Sequence, residues 1–453
     1  MPPSSRRTSA EPLHLLGMLR GLVSSAPTLE YLSLHSHARH PYRRGRLTCP
    51  IPDTLFNGST PRLSCLQLRY CYISWKSPLL KGLKHLEIFK PSTHGRPDLT
   101  GWLDTLDEMT QLKTLILHSA SPIAHSLPFD VERAITLPSL THFNISGSLG
   151  DCALALAHLD LPALTSLCLS ADLSGPNVDD VQFFVPYIAR HAHGPQDTHH
   201  LQSVFIRGER NRTEILAWPV PNIEVEVCSQ PALFARMLPT HVALSFEGLE
   251  QLGFNKRLEV LDMVLAGTPL SGLVVLATHE LRPSSSDELP QTQHFWLHQS
   301  PKWPLLKHVL LSYGVARGFI EMLLEDDGGH SRPMLPWLTE LIMVDCPSSG
   351  PSGLPLYDAL KKRIEQGVPV QWLDLRMCHD HFDHAADWVR SLYEVVVHVL
   401  APDDHFEARE PVKSMWKTIA RGPFVDDEDD YPDSDLSDST CWYSDDEDEY
   451  YSQ

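Results

Sequence analysis

The sequence predicts an α/β fold: a curved leucine-rich-repeat-like solenoid of short parallel strands, with helices and loops on its outer face. Three observations predict it. The first is a frame of an apolar residue, two spacers, an apolar residue, one spacer and a third apolar residue. Its clearest copy is Leu164, Leu167 and Leu169. The same frame stands at Leu29/Leu32/Leu34, Leu63/Leu66/Leu68, Leu83/Leu86/Ile88, Leu112/Leu115/Leu117 and Leu140/Phe143/Ile145. It returns at Leu201/Val204/Ile206, Leu306/Val309/Leu311, Leu338/Leu341/Met343 and Val370/Leu373/Leu375. Ten copies of one short-strand signature read as leucine-rich repeats, in which no unit buries its apolar ladder without a neighbour. The second observation is helical periodicity between copies. The third is a cysteine three residues after the last ladder position in three units, Cys71, Cys346 and Cys378. At that offset such repeats turn a polar or thiol side chain inward onto the backbone of the adjacent turn.

Taken in order, residues 1–12 are rich in Pro, Ser and Arg and are expected to be disordered. A solenoid is expected over 13–420, opening with a helix from Leu13 to Val23 that feeds the strand at Leu29. The last ladder residues of successive copies lie 34, 20, 29, 28 and 24 residues apart from Leu34 to Leu169, then 37 to Ile206. Between Leu311 and Leu375 the spacing is 32 twice. The short spacings suit a strand with a brief return; the long ones need a full helix. Helices are predicted at Asp179–Ala192, Gly318–Leu324, Leu356–Gln366 (ended by Gly367) and Ala385–Leu400, where Asp383 is the expected N-cap. Residues 207–302 are the least regular. There Ile223–Val227 alternates like a strand, Leu258/Leu261/Met263 reads as an eroded repeat, and Pro283–Gln293 reads as a loop. Beyond Glu407 one more helix is expected at Val412–Ala420, and 421–453 should be a disordered acidic tail.

The charge supports that division. The chain carries −20, and 13 acidic residues with no Lys or Arg lie between Asp426 and Glu449, leaving −7 on the rest. Such a tail holds too few aliphatics to order itself. A body of that charge without a broad basic face argues against nucleic-acid binding. Ser444-Asp445-Asp446-Glu447 has the acidic downstream pattern of acidophilic kinase sites. The most apolar window, Val260–Ala277, is broken by Asp262, Gly267, Pro269 and Gly272, so no membrane span is expected. There is no h-region after the N-terminus, and the nine cysteines contain no C-x-x-C pair. The sequence therefore reads as cytoplasmic or nuclear, and the N-x-S/T triplets at Asn57, Asn144 and Asn211 as chance matches. The Arg39–Arg46 loop, with four arginines, reads as solvated rather than as a localisation signal.

Two clusters have metal-ligand chemistry. Cys378-His379-Asp380-His381-Phe382-Asp383-His384 offers thiolate, imidazole and carboxylate within seven residues. The repeat frame already accounts for Cys378, and the histidines then fall in a solvated loop. His191, His193, His199 and His200 flank a Gly-Pro loop. No phosphate-binding, nucleophile-elbow or zinc-protease motif is present, so neither catalysis nor a cofactor is expected. A metal-dependent enzyme using His379, His381 and His384 stays as the alternative from another class.

What the frame does specify is a binding face. Residues between the ladder positions point away from the ladder, toward the concave side. They are Tyr31, Ser33, His35, Gln67, Arg69, His85, Glu87, Phe89, Ile116, His118, His142 and Asn144, then Phe205, Arg207, Glu340, Ile342, Trp372, Asp374 and Arg376. Aromatic and Arg side chains are what interface hot spots use. The expected protein-binding set is Tyr31, His35, Arg69, Glu87, Phe89, Phe205, Arg207, Trp372, Asp374 and Arg376, with Trp372 and Arg376 foremost.

Several longer blocks carry a resemblance. LPSLTHFNIS (137–146), DCALALAHLDLPALTSLCLS (151–170), PYIARHAHGPQDT (186–198) and EILAWPVP (214–221) are similar to the basidiomycete fungal F-box proteins. So are WPLLKHV (303–309), GFIEMLLEDDGG (318–329), RIEQGVP (363–369) and the acidic C-terminus. The resemblance implies that the repeat region holds a protein substrate. It also implies a partner relationship with the adaptor subunit and cullin of a ubiquitin ligase, through an F-box. No F-box residue can be carried over: the segment before Leu29 is short, and Glu11-Pro12-Leu13-His14-Leu15-Leu16 lacks the Leu-Pro-x-Glu-like opening. The F-box is either lost by truncation or absent, and a freestanding interaction scaffold is the alternative reading.

Overall fold

The computed structural model describes residues 5–10, 12–36, 48–89, 96–124, 131–173, 180–192, 201–208, 212–219, 241–249, 253–279, 281, 289–325, 333–344, 355–378 and 391–400. The chain divides into two units, Met1–Phe406 and Glu407–Gln453, of which the second lies wholly outside the described residues. The expected strand at 223–227, the arginine loop, the helix at 412–420 and the acidic tail lie outside them too.

Among the described residues the first unit is a mixed α/β structure built on one fifteen-stranded, mostly parallel sheet. Its first block contains β1 (Ser5–Ala10), β2 (Tyr31–Ser36), β4 (Cys65–Arg69), β6 (His85–Phe89), β7 (Thr114–His118), β9 (His142–Ser148) and β11 (Ser166–Asp172), adjacent in that order and parallel. β1 occupies part of the stretch for which the sequence predicts disorder. Two short pairs flank the block: β3 (Cys49–Pro50) with β5 (Cys71–Tyr72), and β8 (Ile135–Thr136) with β10 (Leu159–Asp160).

The register follows the frame. Leu32, Leu66, Leu86, Leu115, Phe143 and Leu167 are successive cross-strand partners, and so are Leu34, Leu68, Ile88, Leu117, Ile145 and Leu169. A one-residue slip would expose both rows, so burial of this face fixes the pairing. Every ladder residue of the ten copies is buried and belongs to the one main core. The backbone repeats as well. At each strand entry two consecutive N–H groups donate to one carbonyl of the preceding unit: to Glu30, Ser64, Lys84, Lys113 and Thr141 in this block. The carbonyls of Gln202, Val274, Lys307 and Thr339 do the same further on. The first leucine of a copy closes a tight turn, as in Leu140 N–H to the Leu137 carbonyl and Leu164 N–H to Leu161.

The second block consists of β12 (Ser203–Gly208), β15 (Val275–His279), β16 (His308–Ser312), β17 (Glu340–Val344), β18 (Trp372–Met377) and β19 (His398–Leu400), again parallel. Its row runs Val204, Leu276, Val309, Leu341, Leu373 and Val399. The sequence frame suggests that the copy at Val204 follows the copy at Leu169 directly. It does not. β14 (Val242–Glu247) takes the place beside β11, and the antiparallel β13 (Arg212–Trp218) bridges β14 to β12. Val242, Ala217 and Val204 pair across this insertion, as do Leu244, Ile215 and Ile206, so the ladder continues through the reversal. Register alone, not strand polarity, decides which side chains reach the core.

Helices lie one after another along the chain: α1 (Pro12–Gly21), α2 (Leu99–Asp107), α3 (Leu149–Ala157), α4 (Val181–Ala192), α5 (Gly253–Gly267), α6 (Leu289–Gln299), α7 (Tyr313–Leu324) and α8 (Leu356–Glu365). From α3 onward each packs against the next, forming a second layer over the ladder side of the sheet. Asp98 caps α2 through the Gly101 N–H, and Ser148 caps α3 through Asp151 N–H. Gly367, at φ 76°, follows the end of α8 in the left-handed conformation that a helix stop favours.

Three expectations about element type fail. Leu258, Leu261 and Met263 lie inside α5, not in a strand: Leu258 and Leu261 share one helix face with Phe254 and Leu265 and enter the core, while Met263 lies off that face and is only partly buried. Residues from Leu289 onward are helical rather than loop, anchored by Phe295 and Trp296. Residues 398–400 are strand β19 rather than the end of a helix; Val396 and Val399 match the first two ladder positions of a further copy. Among the described residues no helix is long and apolar enough to cross a membrane.

Candidate protein-binding face

The side chains between ladder positions do not form one uniform surface. In the first block they are partly open. β2, β4 and β7 alternate strictly, with the ladder leucines buried and Tyr31, Ser33, His35, Gln67, Arg69, Ile116 and His118 half-exposed. A polar and aromatic strip crosses these strands. The Tyr31 hydroxyl donates to Gln67 Oε1. His35 stacks on Tyr70 with ring centroids 6.0 Å apart, Tyr70 meets Phe89 edge-on at 5.6 Å, and Phe89 meets His118 at 5.0 Å. The Arg69 guanidinium lies 5.6 Å from the Phe89 ring, a cation–π arrangement. His118 Nδ1 lies 2.9 Å from Ser146 Oγ.

Glu87 sits at the centre and is buried, 8% exposed. Arg69 Nη2 approaches its Oε1 to 3.4 Å, and His85 Nε2 lies 3.8 Å from Oε2, a polar contact rather than a full hydrogen bond. His85 chiefly, with Arg69 and His118, holds the Glu87 carboxyl below the usual carboxylate range against the opposing effect of burial. Burial, and the nearby Glu87, push the Cys65 thiol up to about 11; burial also raises Cys168. Both stay protonated at neutral pH and are poor nucleophiles. The strip is thus built for contact: aromatic area, one fixed carboxylate, one guanidinium and imidazole rings.

In the inserted strands β13 and β14 and in most of the second block the corresponding positions are closed. Phe205 and Arg207 are buried, against the expectation of an open face, as are Leu216, Ala243, Ala277, Leu310, Glu340 and Ile342. The apolar members of this group stand outside the main core, so they are shielded on the opposite side of the sheet. Arg207 Nη1 lies 3.7 Å from Glu214 Oε2, and Arg212 Nη2 lies 2.8 Å from Glu214 Oε1. Arg212 Nε also donates to Ser245 Oγ at 2.5 Å. These charges tie the reversed strand β13 to β12 and β14. His308 Nδ1 meets Glu340 Oε2 at 2.7 Å in the same way. Asp374 is buried too, and the Arg376 side chain lies outside the described residues.

Trp372 is open, 43% exposed, and stacks on His398 of β19 at 4.1 Å. Thus Tyr31, His35, Arg69, Glu87 and Phe89 come together, Trp372 stands apart at the far end of the sheet, and Phe205, Arg207 and Asp374 are interior. Frame counting misses Tyr70, which follows β4 at φ 53° and so joins the strip instead of continuing the alternation. It also misses His398, which the partial copy Val396/Val399 could have placed on a strand.

Of the cysteines at the repeat offset, Cys71 Sγ points to the Leu34 carbonyl at 3.9 Å and Cys378 Sγ to the Met343 carbonyl at 3.3 Å, each reaching the preceding unit. Cys346, His379, His381, His384, His193, His199 and His200 lie outside the described residues. The described His191 is buried, its Nε2 3.3 Å from the Leu156 carbonyl. Among the described residues no group of three or more His, Cys, Asp or Glu side chains is arranged to hold a metal ion.

No protein-family model matches the chain, and no curated protein matches it. Among solved structures it is similar to the leucine-rich repeat-containing protein LegL7 of Legionella pneumophila, at 14% identity and a TM-score of 0.27 over 67% of this chain and 91% of that one.

Proposed function

We propose that the chain is a leucine-rich-repeat solenoid that binds a protein ligand on the inner face of β2, β4, β6, β7 and β9 and performs no chemistry of its own. The observation that carries this reading is the strip Tyr31, His35, Arg69, Tyr70, Glu87, Phe89 and His118. It spans four consecutive strands held in fixed register, so its aromatic and charged groups form a rigid, half-open surface rather than a scatter of surface residues. Aromatic and Arg anchors beside partly desolvated charges are the chemistry of interface hot spots. Closure of the second block directs binding to the first, with Trp372 as a separate exposed anchor.

Within this reading the ligand is the substrate of an F-box-type ubiquitin ligase, and the adaptor subunit and cullin are partners of the fuller assembly. The support is the set of sequence blocks similar to the basidiomycete F-box family. Affinity capture from fungal lysate, scored by mass spectrometry for the adaptor and cullin, tests this. Co-recovery of both with a further protein supports the ligase reading. A further protein without either would overturn the ligase role and leave a freestanding scaffold. Capture that does not depend on the β2–β7 strip contradicts the binding face itself.

A further inference from the structure

Outside the strip, two thiols stand side by side in the small parallel sheet that flanks the first block. Cys49 of β3 and Cys71 of β5 are direct register partners, and both side chains are fully buried. Adjacent parallel strands lie about 4.8 Å apart and put register partners on the same side, inside the Cα window that a disulfide requires. Cys49 Sγ lies 3.7 Å from the Pro50 carbonyl and Cys71 Sγ 3.9 Å from the Leu34 carbonyl, and the interaction between the two neighbouring thiols is the main influence on both. It favours the Cys49 thiolate and disfavours that of Cys71. The backbone around them is firm: Cys49 N–H donates to the Tyr70 carbonyl at 3.1 Å and Ile51 N–H to the Tyr72 carbonyl at 2.9 Å. All six described cysteines are free thiols, and of the others, Cys65, Cys152, Cys168 and Cys378, none has a cysteine register partner.

We infer that Cys49 and Cys71 form a reversible disulfide, a redox modification site that clips β3 onto β5. With a peroxide as oxidant the step is balanced as follows. The Cys49 thiolate attacks one peroxide oxygen, the O–O bond breaks, and a sulfenic acid and hydroxide result; the hydroxide takes up the proton that the Cys49 thiol released and leaves as water. The Cys71 thiol then attacks the Cys49 sulfur, the S–O bond breaks, and the disulfide and a second water result. Two electrons pass from the thiols to the peroxide. A small-molecule disulfide reaches the same product by two exchange steps. Because both thiols are buried, the rate is set by opening of this edge, while the product is set by register.

The test is made on the full chain. It is treated with hydrogen peroxide, free thiols are alkylated, and the digest is mapped by mass spectrometry with and without dithiothreitol. The expected result is a Cys49–Cys71 cross-linked peptide, two hydrogens lighter than its reduced parts and abolished in C49S. In C71S the expectation is sulfenic acid or an external mixed disulfide at Cys49. A second arm incubates the chain to equilibrium in glutathione buffers containing sub-denaturing urea, so that burial cannot hide the pair. There the oxidised fraction of this pair should exceed that of every other cysteine pair at least tenfold. Cross-links scattered among other cysteines, or Cys49 and Cys71 both fully alkylated at equilibrium, would overturn the inference.

Discussion

Replacing Gly318 by alanine probes the contact between α6 and α7. In that contact the two helices approach so closely that a Cβ at 318 would lie 2.6 Å from the Gln293 amide nitrogen and 2.7 Å from the Thr292 carbonyl carbon. Both are backbone atoms, which no rotamer can move aside, whereas the Thr292 hydroxyl at 2.0 Å could turn away. Restoring ordinary contact near 3.4 Å requires α6 to retreat by about 0.8 Å, a gap that forfeits a quarter to a half of each dispersion contact it opens. The contacts at stake include Trp296, whose indole donates to the Val315 carbonyl at 3.1 Å and lies 5.2 Å from the Phe319 ring. Overpacking of this kind costs about 1–3 kcal/mol, and more where backbone must shift. The alanine returns up to about 1 kcal/mol of helix propensity. The net expectation for G318A is a loss of about 2 kcal/mol. G17A in α1 is the control, since a Cβ there meets nothing within 4 Å. It should gain about 0.5–1 kcal/mol. Urea unfolding followed by tryptophan fluorescence and circular dichroism measures both against the parent. Equal shifts for the two variants, or a stabilised G318A, would refute the packing described for α6 and α7.

Three further outcomes are expected. Arg363 is fully buried and donates to the carbonyls of Met334 at 2.8 Å, Leu335 at 3.0 Å and Leu338 at 3.4 Å. R363K keeps the charge but loses that fork and should cost about 1.5–3 kcal/mol by urea unfolding; a neutral result would contradict the role of this contact. Glu87 titrates below its ordinary value, so its contribution is fully present above about pH 4.3 and is lost as pH falls through the lowered value. The stability gap between the parent and E87Q should therefore be about 1 kcal/mol at pH 7 and close at acid pH, whereas a gap that widens on acidification would be the wrong sign. Burial lowers the pKa of His191, so the unfolded chain takes up this proton first and stability falls as pH drops below about 6.5. H191Q should flatten the stability profile between pH 6.5 and 5, and an unchanged slope there would assign the pH dependence elsewhere.

Much of the sheet was legible because its frame repeats with period two. An apolar residue at every second strand position, displaced by one, would lose its core, so Leu32, Leu66 and Leu86 predict both element and register. The reversed strand β13 was hidden for the same reason. Ile215 and Ala217 alternate as a parallel strand would, and only pairing reveals their direction. Leu258, Leu261 and Met263 misled because the three-residue step from Leu258 to Leu261 also suits one face of a helix, whereas Met263, off that face, met the third ladder position by coincidence. The site was half legible. Alternation correctly sends Arg69 and Phe205 to the same side of the sheet, yet exposure there depends on what packs against that side, which a local pattern does not encode. Phe205 and Arg207 are therefore interior while Tyr31, Arg69 and Phe89 are half-open. Tyr70 joins them through a positive φ that breaks the alternation.

The most direct test compares three forms of the full chain by quantitative affinity capture: the parent, R69E on the strip, and E132K at an exposed position outside it. Unfolding midpoints are measured alongside. Proteins enriched by the parent are expected to fall about tenfold or more with R69E and to persist with E132K, at matched stability. Retention of those proteins by R69E, or their equal loss with both variants, would contradict an inner face in the first block as the binding surface.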